Sequence, residues 1–228
     1  MEIHPVKDKL DLQAFIDLPY RLYANDPIWI PPLRSEQKAQ FDPVKNPMLQ
    51  HCEYTLFLAR RGGEVVGRIS AFIDHLALEH WQQPVGLFGS FECINDPEVA
   101  HGLLSAARGW LRQKGMTTMR GPWSFASQEW GLVVEGFEPE PVILAPYNPP
   151  WYKDHLTSFG MSKANDLLVY VIDARENYTV PERILSLTDK VRKRYRVRVR
   201  PVNMRNLEED VVTITRLANE SIADNRGF

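Results

Sequence analysis

The stretch "FGSFECINDPEVAHGLL", residues 88–104, joins an apolar run to a helix-starting signal. Residues 85–93, "VGLFGSFEC", read as a mostly buried strand. Asp96 is a natural N-cap, Pro97 suits the first helical position and Glu98 favours the first turn. The helix so predicted covers 97–114 and ends at Gly115, a residue suited to the left-handed position past a helix end. A strand running straight into a helix is the unit of an α/β fold.

Working outward, "YTLFLARRGGEVVGRISAFID" places two apolar runs around Gly62-Gly63, which predicts an antiparallel hairpin. Before it, "MEIHPV" reads as a first strand and "DLQAFIDLPYRLYAND" as an amphipathic helix with Leu12, Phe15, Ile16, Leu22 and Tyr23 inward. Pro19 is expected to break or kink that helix. "DPIWIPPL" is a proline-braced loop. After the central helix, "MTTMRGPW" returns as a strand, "WGLVVEGF" is a candidate strand, and "PPWYKDHLTSFG" is a short helix capped by Gly160. "DLLVYVID", residues 166–173, reads as a long buried strand.

The text then changes character. Residues 176–195 read as a polar linker and helix, "VRVRPVNM" as a new strand and "NLEEDVVTITRLANESIADN" as a new helix. Strand followed by helix repeats the opening order of the chain. The expected organisation is therefore a domain over 1–175, a linker helix over 176–195, and the start of a second, incomplete unit over 196–228.

Composition narrows the function classes. The 228 residues are 44% hydrophobic and 25% charged, as in soluble globular proteins. Net charge is −2, so no nucleic-acid partner is expected of the whole molecule. Residues 176–228 carry 11 Lys/Arg against 8 Asp/Glu, a balance of +3, which leaves −5 for the rest. Cys52 and Cys93 make no disulfide framework, and no spacing suggests zinc, so no metal is expected. His51, Cys52 and Glu53 are consecutive, which on a strand sends neighbours to opposite faces. The start "MEIHPVKDKL" lacks the apolar core of a signal peptide, and no run approaches the ~18 apolar residues of a membrane span. A reducing cytoplasm is the expected location.

Four phrases carry a resemblance: "DLPYRLYANDPIWIPPLR", "FGSFEC", "MRGPWSFASQEWGLVVEGF" and "PYNPPWY". With the order of elements over 3–173, they resemble the GNAT-type N-acyltransferases. In particular the chain resembles an uncharacterised bacterial family of about 380 residues with two GNAT-like halves, of which this chain would be a truncated member. The resemblance implies an α/β fold with a mixed, mostly antiparallel sheet flanked by helices. It implies acyl-CoA as co-substrate and an amine as acceptor. Bacterial enzymes that N-acylate sphingoid bases are also GNAT-like, which makes a lipidic amine a candidate acceptor.

In that family a glycine-rich loop between strand and helix closes backbone N–H groups on the CoA diphosphate. Here the same place reads Asn95-Asp96-Pro97-Glu98, with two carboxylates at the helix end that favours anions. They would repel a diphosphate, and helix-cap chemistry accounts for every residue. A second family pattern places a tyrosine acid on a later helix. Asn148 and Gly160-Met161 match the ends of that pattern, and Leu156 stands at the tyrosine position. Tyr152, one turn earlier on the same face, could take the role; the other reading packs Tyr147, Trp151 and Tyr152 around a proline-rich helix start.

Amine acylation needs a base for the acceptor nitrogen. Glu92, between Phe91 and Cys93 on a mostly buried strand, is the leading candidate, its pKa expected to be raised. Its competing reading is a carboxylate paired with Arg68 or Arg120. "SFASQEWG", residues 124–131, clusters Ser124, Ser127, Gln128 and Glu129 among aromatics and is expected to line a cleft. The catalytic candidates are Glu92, Gln128, Glu129 and Tyr152, and the substrate-binding candidates Ser124, Ser127, Trp130, Tyr147 and Asn148. Arg196, Arg198 and Arg200 alternate along the last predicted strand. They read either as a wall for phosphates or an anionic lipid surface, or as a solvated face. Tyr20, Tyr23 and Trp29 read as core anchors or as contacts for a lipid.

Two functions follow. One is an acyl-CoA-dependent N-acyltransferase homologue acting on an unidentified amine, with a lipidic amine as a candidate, and expected to be inactive in this truncated form. The other is a non-catalytic binding or scaffold protein that kept the fold and lost CoA.

Overall fold

In the computed structural model, residues 1–125, 130–138, 140–142, 145–170 and 179–222 are described. The chain divides into two compact units, Met1–Ser162 and Lys163–Phe228.

The first unit is built on one sheet in the order β1-β2-β3-β4-β5: Glu2–Pro5, Cys52–Arg61, Glu64–Asp74, Val85–Cys93 and Thr118–Arg120. Neighbours are antiparallel except β4 and β5, which are parallel and joined through helix α4, Pro97–Gln113. Gly62 and Gly63, with φ of 59° and 85°, form the predicted β2–β3 turn; positive φ at both positions suits a primed turn and disfavours side chains. Asp96 caps α4 by accepting from the Glu98 amide at 2.8 Å.

Both faces of the sheet are covered. On one, Val99, Ala100, Leu103, Leu104, Ala107 and Leu111 of α4 pack on Ile69, Ala71 and Ile73 of β3. On the other, Phe15 and Ile16 of helix α1, Lys9–Leu22, pack with Leu58, Phe72 and Leu87. Burial on both sides makes β3 a continuous apolar run rather than an alternating one. Short helices α2, Arg34–Gln40, and α3, His75–Trp81, and a 3-10 turn at Pro47–Gln50 complete that side. Helix α5, Tyr152–Ser158, joins the α4 layer, and Gly160 follows it at φ 100°.

Four expectations are corrected. Helix α1 runs through Pro19 to Leu22 instead of ending there. "WGLVVEGF" forms only an isolated bridge, Trp123 with Trp130. Leu167–Tyr170 of the expected buried strand is 60–83% exposed without strand structure, and residues 171–173 lie outside the described residues. Residues 197–203 form no strand either. Strand propensity is expressed only where an edge offers hydrogen bonds and a face offers cover.

The second unit contains helices α6, Glu182–Tyr195, and α7, Leu207–Ile222. Arg200 does not line a strand face; its guanidinium grips Asp210, which also accepts from the Asn203 amide at 2.6 Å. These contacts hold the Asp210 carboxyl down at about 2.

Candidate functional site

The middle of β4 is where the sheet departs from regularity. Across from it, the single residue Ile69 separates Arg68 and Ser70, while Ser90 and Phe91 both intervene between their partners Glu92 and Gly89. This is a β-bulge, and Ser90 takes φ 46° within it. The parallel ladder with β5 stops at Leu87–Arg120. Beyond it the exposed edge of β4 finds other partners: Trp123 N–H donates to Phe88 O at 2.7 Å, and Cys93 N–H donates to the Tyr152 hydroxyl at 2.8 Å.

Tyr152 therefore does more than pack the start of a helix. It is 1% exposed and stacks edge-on against Phe91, in the core on the α4 side. Its hydroxyl passes the edge of β4 and donates to Glu92 Oε2 at 2.8 Å. Tyr23, the residue that ends α1, donates to the same oxygen at 2.5 Å from the other side. No hydrogen bond reaches Oε1 from the described residues. Arg68, 6% exposed, is the cross-strand partner of Glu92 and donates to Phe15 O at 2.8 Å.

The electrostatics follow from this placement. Desolvation raises the Glu92 pKa above the usual carboxylate range. Arg68 and the hydrogen bonds from Tyr23 and Tyr152 act in the opposite direction and are outweighed. The Tyr23 and Tyr152 phenols are pushed well above their ordinary value by burial first and by the Glu92 charge second, so both remain donors. Arg120, the other suggested partner of Glu92, instead lies over the Trp81 ring at 5.2 Å.

Aromatic surface continues from this carboxylate. The Tyr23 ring lies 5.2 Å from Trp29 and 5.3 Å from Tyr147, and Tyr147 donates its hydroxyl to Asp26. Asn148 is buried and holds the 130–138 segment: its Oδ1 accepts from Val133 N at 2.8 Å and its Nδ2 donates to Val133 O at 3.1 Å. Ser124 is buried, and Trp130 stacks on Trp123. Ser127, Gln128 and Glu129 lie outside the described residues. The structure thus brings Glu92, Tyr152 and Tyr147 into one neighbourhood and adds Tyr23, Arg68 and Asp26 to it. Tyr23 and Glu92 are 69 residues apart, and no local pattern signals their meeting.

The N-terminus of α4 is occupied by its own side chains. Arg61 Nη2 reaches Asp96 Oδ2 at 2.8 Å and Glu98 Oε2 at 3.2 Å, closing the end with two carboxylates and a guanidinium. The Arg61 hydrogen bond, with the Glu98 amide next, lowers the Asp96 pKa. Two carboxylates at this end disfavour an anion there.

Antiparallel strands followed by a parallel β4-α4-β5 crossover reproduce the expected order of elements as far as β5, and the bulge in the fourth strand adds to it. The fold is a mixed, mostly antiparallel α/β sheet with helices on both faces. No protein-family model matches the chain. The chain is 36% identical over 222 residues to Protein YghO of Escherichia coli K12, covering 97% of this chain and 56% of that protein. It is 38% identical over 230 residues to a bacterial ceramide synthase of Caulobacter vibrioides, covering 100% of this chain and 59% of that protein. The chain thus spans little more than half the length of these curated relatives. Among solved structures, a tandem GNAT protein from the clavulanic acid biosynthesis pathway is similar at a TM-score of 0.48 and 17% identity, over 70% of this chain and 43% of that one. No helix among the described residues is long and apolar enough to cross a membrane.

Proposed function

We propose that this GNAT-type chain serves acyl-CoA-dependent N-acylation of a lipidic amine, with Glu92 as the base that takes the proton from the acceptor nitrogen. The observation that carries this reading is the Glu92 carboxylate, half-buried, raised in pKa and held at one oxygen by two phenols. A base of raised pKa is matched to neutral pH, and fixing Oε2 leaves Oε1 for the substrate. In the step proposed, the amine nitrogen forms a bond to the thioester carbonyl carbon as its proton passes to Glu92, directly or through one water. The carbon–sulfur bond breaks, the thiolate leaves, and Glu92 returns its proton to solvent or to that thiolate.

The lipidic acceptor is suggested by the relative called a bacterial ceramide synthase and by the half-buried rings of Trp29 and Tyr147, packed on the buried Tyr23 that bonds Glu92. Gln128, Glu129 and Tyr152 remain proposed catalytic groups, and Ser124, Ser127, Trp130, Tyr147 and Asn148 proposed substrate-binding groups. The closed end of α4 moves the CoA diphosphate elsewhere in the assembled enzyme. Acyl transfer from long-chain acyl-CoA to a long-chain amino alcohol is the test. Glu92→Gln should lower kcat by about 10²-fold or more, and unchanged turnover would remove Glu92 from the role.

The same closed helix end favours a second reading, a GNAT-fold scaffold that has lost CoA. Calorimetry with acetyl-CoA and long-chain acyl-CoA separates the two, since binding by the enzyme and none by the scaffold is expected. Peripheral membrane contact through the basic 189–201 segment predicts salt-sensitive pelleting with anionic vesicles.

A further inference from the structure

His51, Cys52 and Asp74 bring a ring nitrogen, a thiol and a carboxylate to one end of the β2–β3 hairpin. Cys52 and Asp74 are directly opposed in the ladder, so their side chains leave the sheet on one face. His51 closes the 3-10 turn rather than extending β2, so alternation along a strand does not separate it from Cys52. Its carbonyl accepts from His75 N at 3.0 Å, which pins the turn to the far end of the hairpin. His51 Nδ1 lies 2.9 Å from Asp74 Oδ1 and 3.9 Å from Cys52 Sγ, and one ligand atom from each residue lies within 4.8 Å of the others. We propose that these three residues bind a borderline-soft divalent cation, zinc before others, in a three-ligand site whose fourth position opens to solvent.

The distances suit that ion. Zinc–sulfur bonds of about 2.3 Å and zinc–nitrogen or –oxygen bonds of about 2.1 Å, at tetrahedral angles, need N···S near about 3.6 Å and N···O near about 3.4 Å. The His51–Cys52 and His51–Asp74 separations differ by about 0.5 Å or less from these, and the third pair lies within 4.8 Å, so side-chain rotations would complete the site. A thiol beside an imidazole disfavours magnesium and calcium, which take oxygen ligands. Asp74 is also oriented from behind: its Oδ1 accepts from Leu76 N at 3.0 Å and Ala77 N at 3.2 Å. Such outer hydrogen bonds commonly set a ligating carboxylate. The His51 and Asp74 side chains are 31% and 14% exposed, so the cluster is reachable without being a loose surface group.

Binding is balanced in protons. The thiol releases its proton to solvent as the sulfur–metal bond forms, and the neutral imidazole carries its own proton on Nε2. Asp74 lies six residues along β3 from Arg68, the partner of Glu92, or about 20 Å at strand rise. The cation therefore clamps the hairpin to the preceding turn and takes no part in acyl transfer.

Titration of the 228-residue chain with Co²⁺ tests this, followed by displacement with Zn²⁺. One equivalent of cobalt should give a thiolate-to-metal charge-transfer band with tetrahedral visible bands, and zinc should raise Tm. Cys52→Ser should abolish the band and weaken zinc binding at least about tenfold, and Asp74→Asn, which keeps the helix cap, should weaken it by a similar factor. Circular dichroism identifies any variant that has lost its fold, and His51→Gln then supplies the third ligand deletion. A chain with no charge-transfer band at millimolar cobalt overturns the proposal. So does a band that survives Cys52→Ser, since Cys93 would then be the ligand.

Discussion

Tyr23 and Tyr152 donate to the same oxygen of Glu92, at 2.5 Å and 2.8 Å, from elements at opposite ends of the first unit. A carboxylate held by two phenols at one oxygen has little freedom to turn. The base and its orientation are thus set by α1, β4 and α5 together, and each element can be tested through it.

Tyr152→Phe should be costly beyond one hydrogen bond. It removes a donor to Glu92 and leaves the buried Cys93 N–H without its acceptor. A loss of about 1–3 kcal/mol is expected, read from the urea midpoint at neutral pH. A variant as stable as the parent would mean that Cys93 N–H has another partner.

Tyr23→Phe should act mainly on titration. The Tyr23 hydrogen bond lowers the Glu92 pKa, so its removal moves that pKa further up. Carboxyl-carbon NMR of Glu92, or the acid limb of the pH–rate profile, should shift to higher pH. An unshifted curve would separate the tether from the base without touching the role of Glu92.

Glu92 also makes a stability prediction whose sign is fixed by its raised pKa. The folded state prefers the protonated form, so this contribution is full below the unfolded value near 4.5 and is lost as pH rises through the folded value. Glu92→Gln should therefore gain stability relative to the parent as pH rises through that value, and the gap should vanish in acid. Paired thermal melts across pH measure it.

At the end of α4 the sign is opposite. The Asp96 pKa is lowered, so its cap and its contact with Arg61 are present above the unfolded value of 3.8 and fade as pH falls through the folded value. Asp96→Asn keeps the cap and removes that pH dependence. If the diphosphate is held elsewhere, as proposed, calorimetry should show acyl-CoA affinity unchanged by it. A marked gain in affinity would show that the carboxylates were guarding a usable seat.

Gly89→Ala should fail more severely than any surface change. A Cβ at Gly89 would come 1.6 Å from the Trp123 carbonyl oxygen, which is backbone and cannot rotate away. Destabilisation of about 3 kcal/mol or more is expected by chemical denaturation, because the chain after β5 would be forced off β4.

Much of the frame was legible from residue order. The Gly62-Gly63 turn, the Asp96-Pro97-Glu98 cap and the Gly115 and Gly160 stops are local devices, and each acts within a few residues of itself. Glu92 was legible as a half-buried acid with a raised pKa because its strand neighbours are apolar. The strands expected at 166–173 and 197–204 were not, since Leu167–Tyr170 and Val197, Val199, Val202 and Met204 lie exposed without strand pairing among the described residues. Pro19 misled for a related reason: with Phe15, Ile16 and Leu18 buried around it, packing keeps α1 helical across the proline.

Residue order alone therefore indicated the β2–β3 turn, the start of α4 and the ends of α4 and α5, because caps and left-handed glycines depend on bonds between near neighbours. It could not say which phenols meet Glu92, or that His51 and Cys52 face Asp74. Those meetings join residues 69, 60 and 23 positions apart, and they arise only when strand pairing and the β4 bulge fix side chains in space.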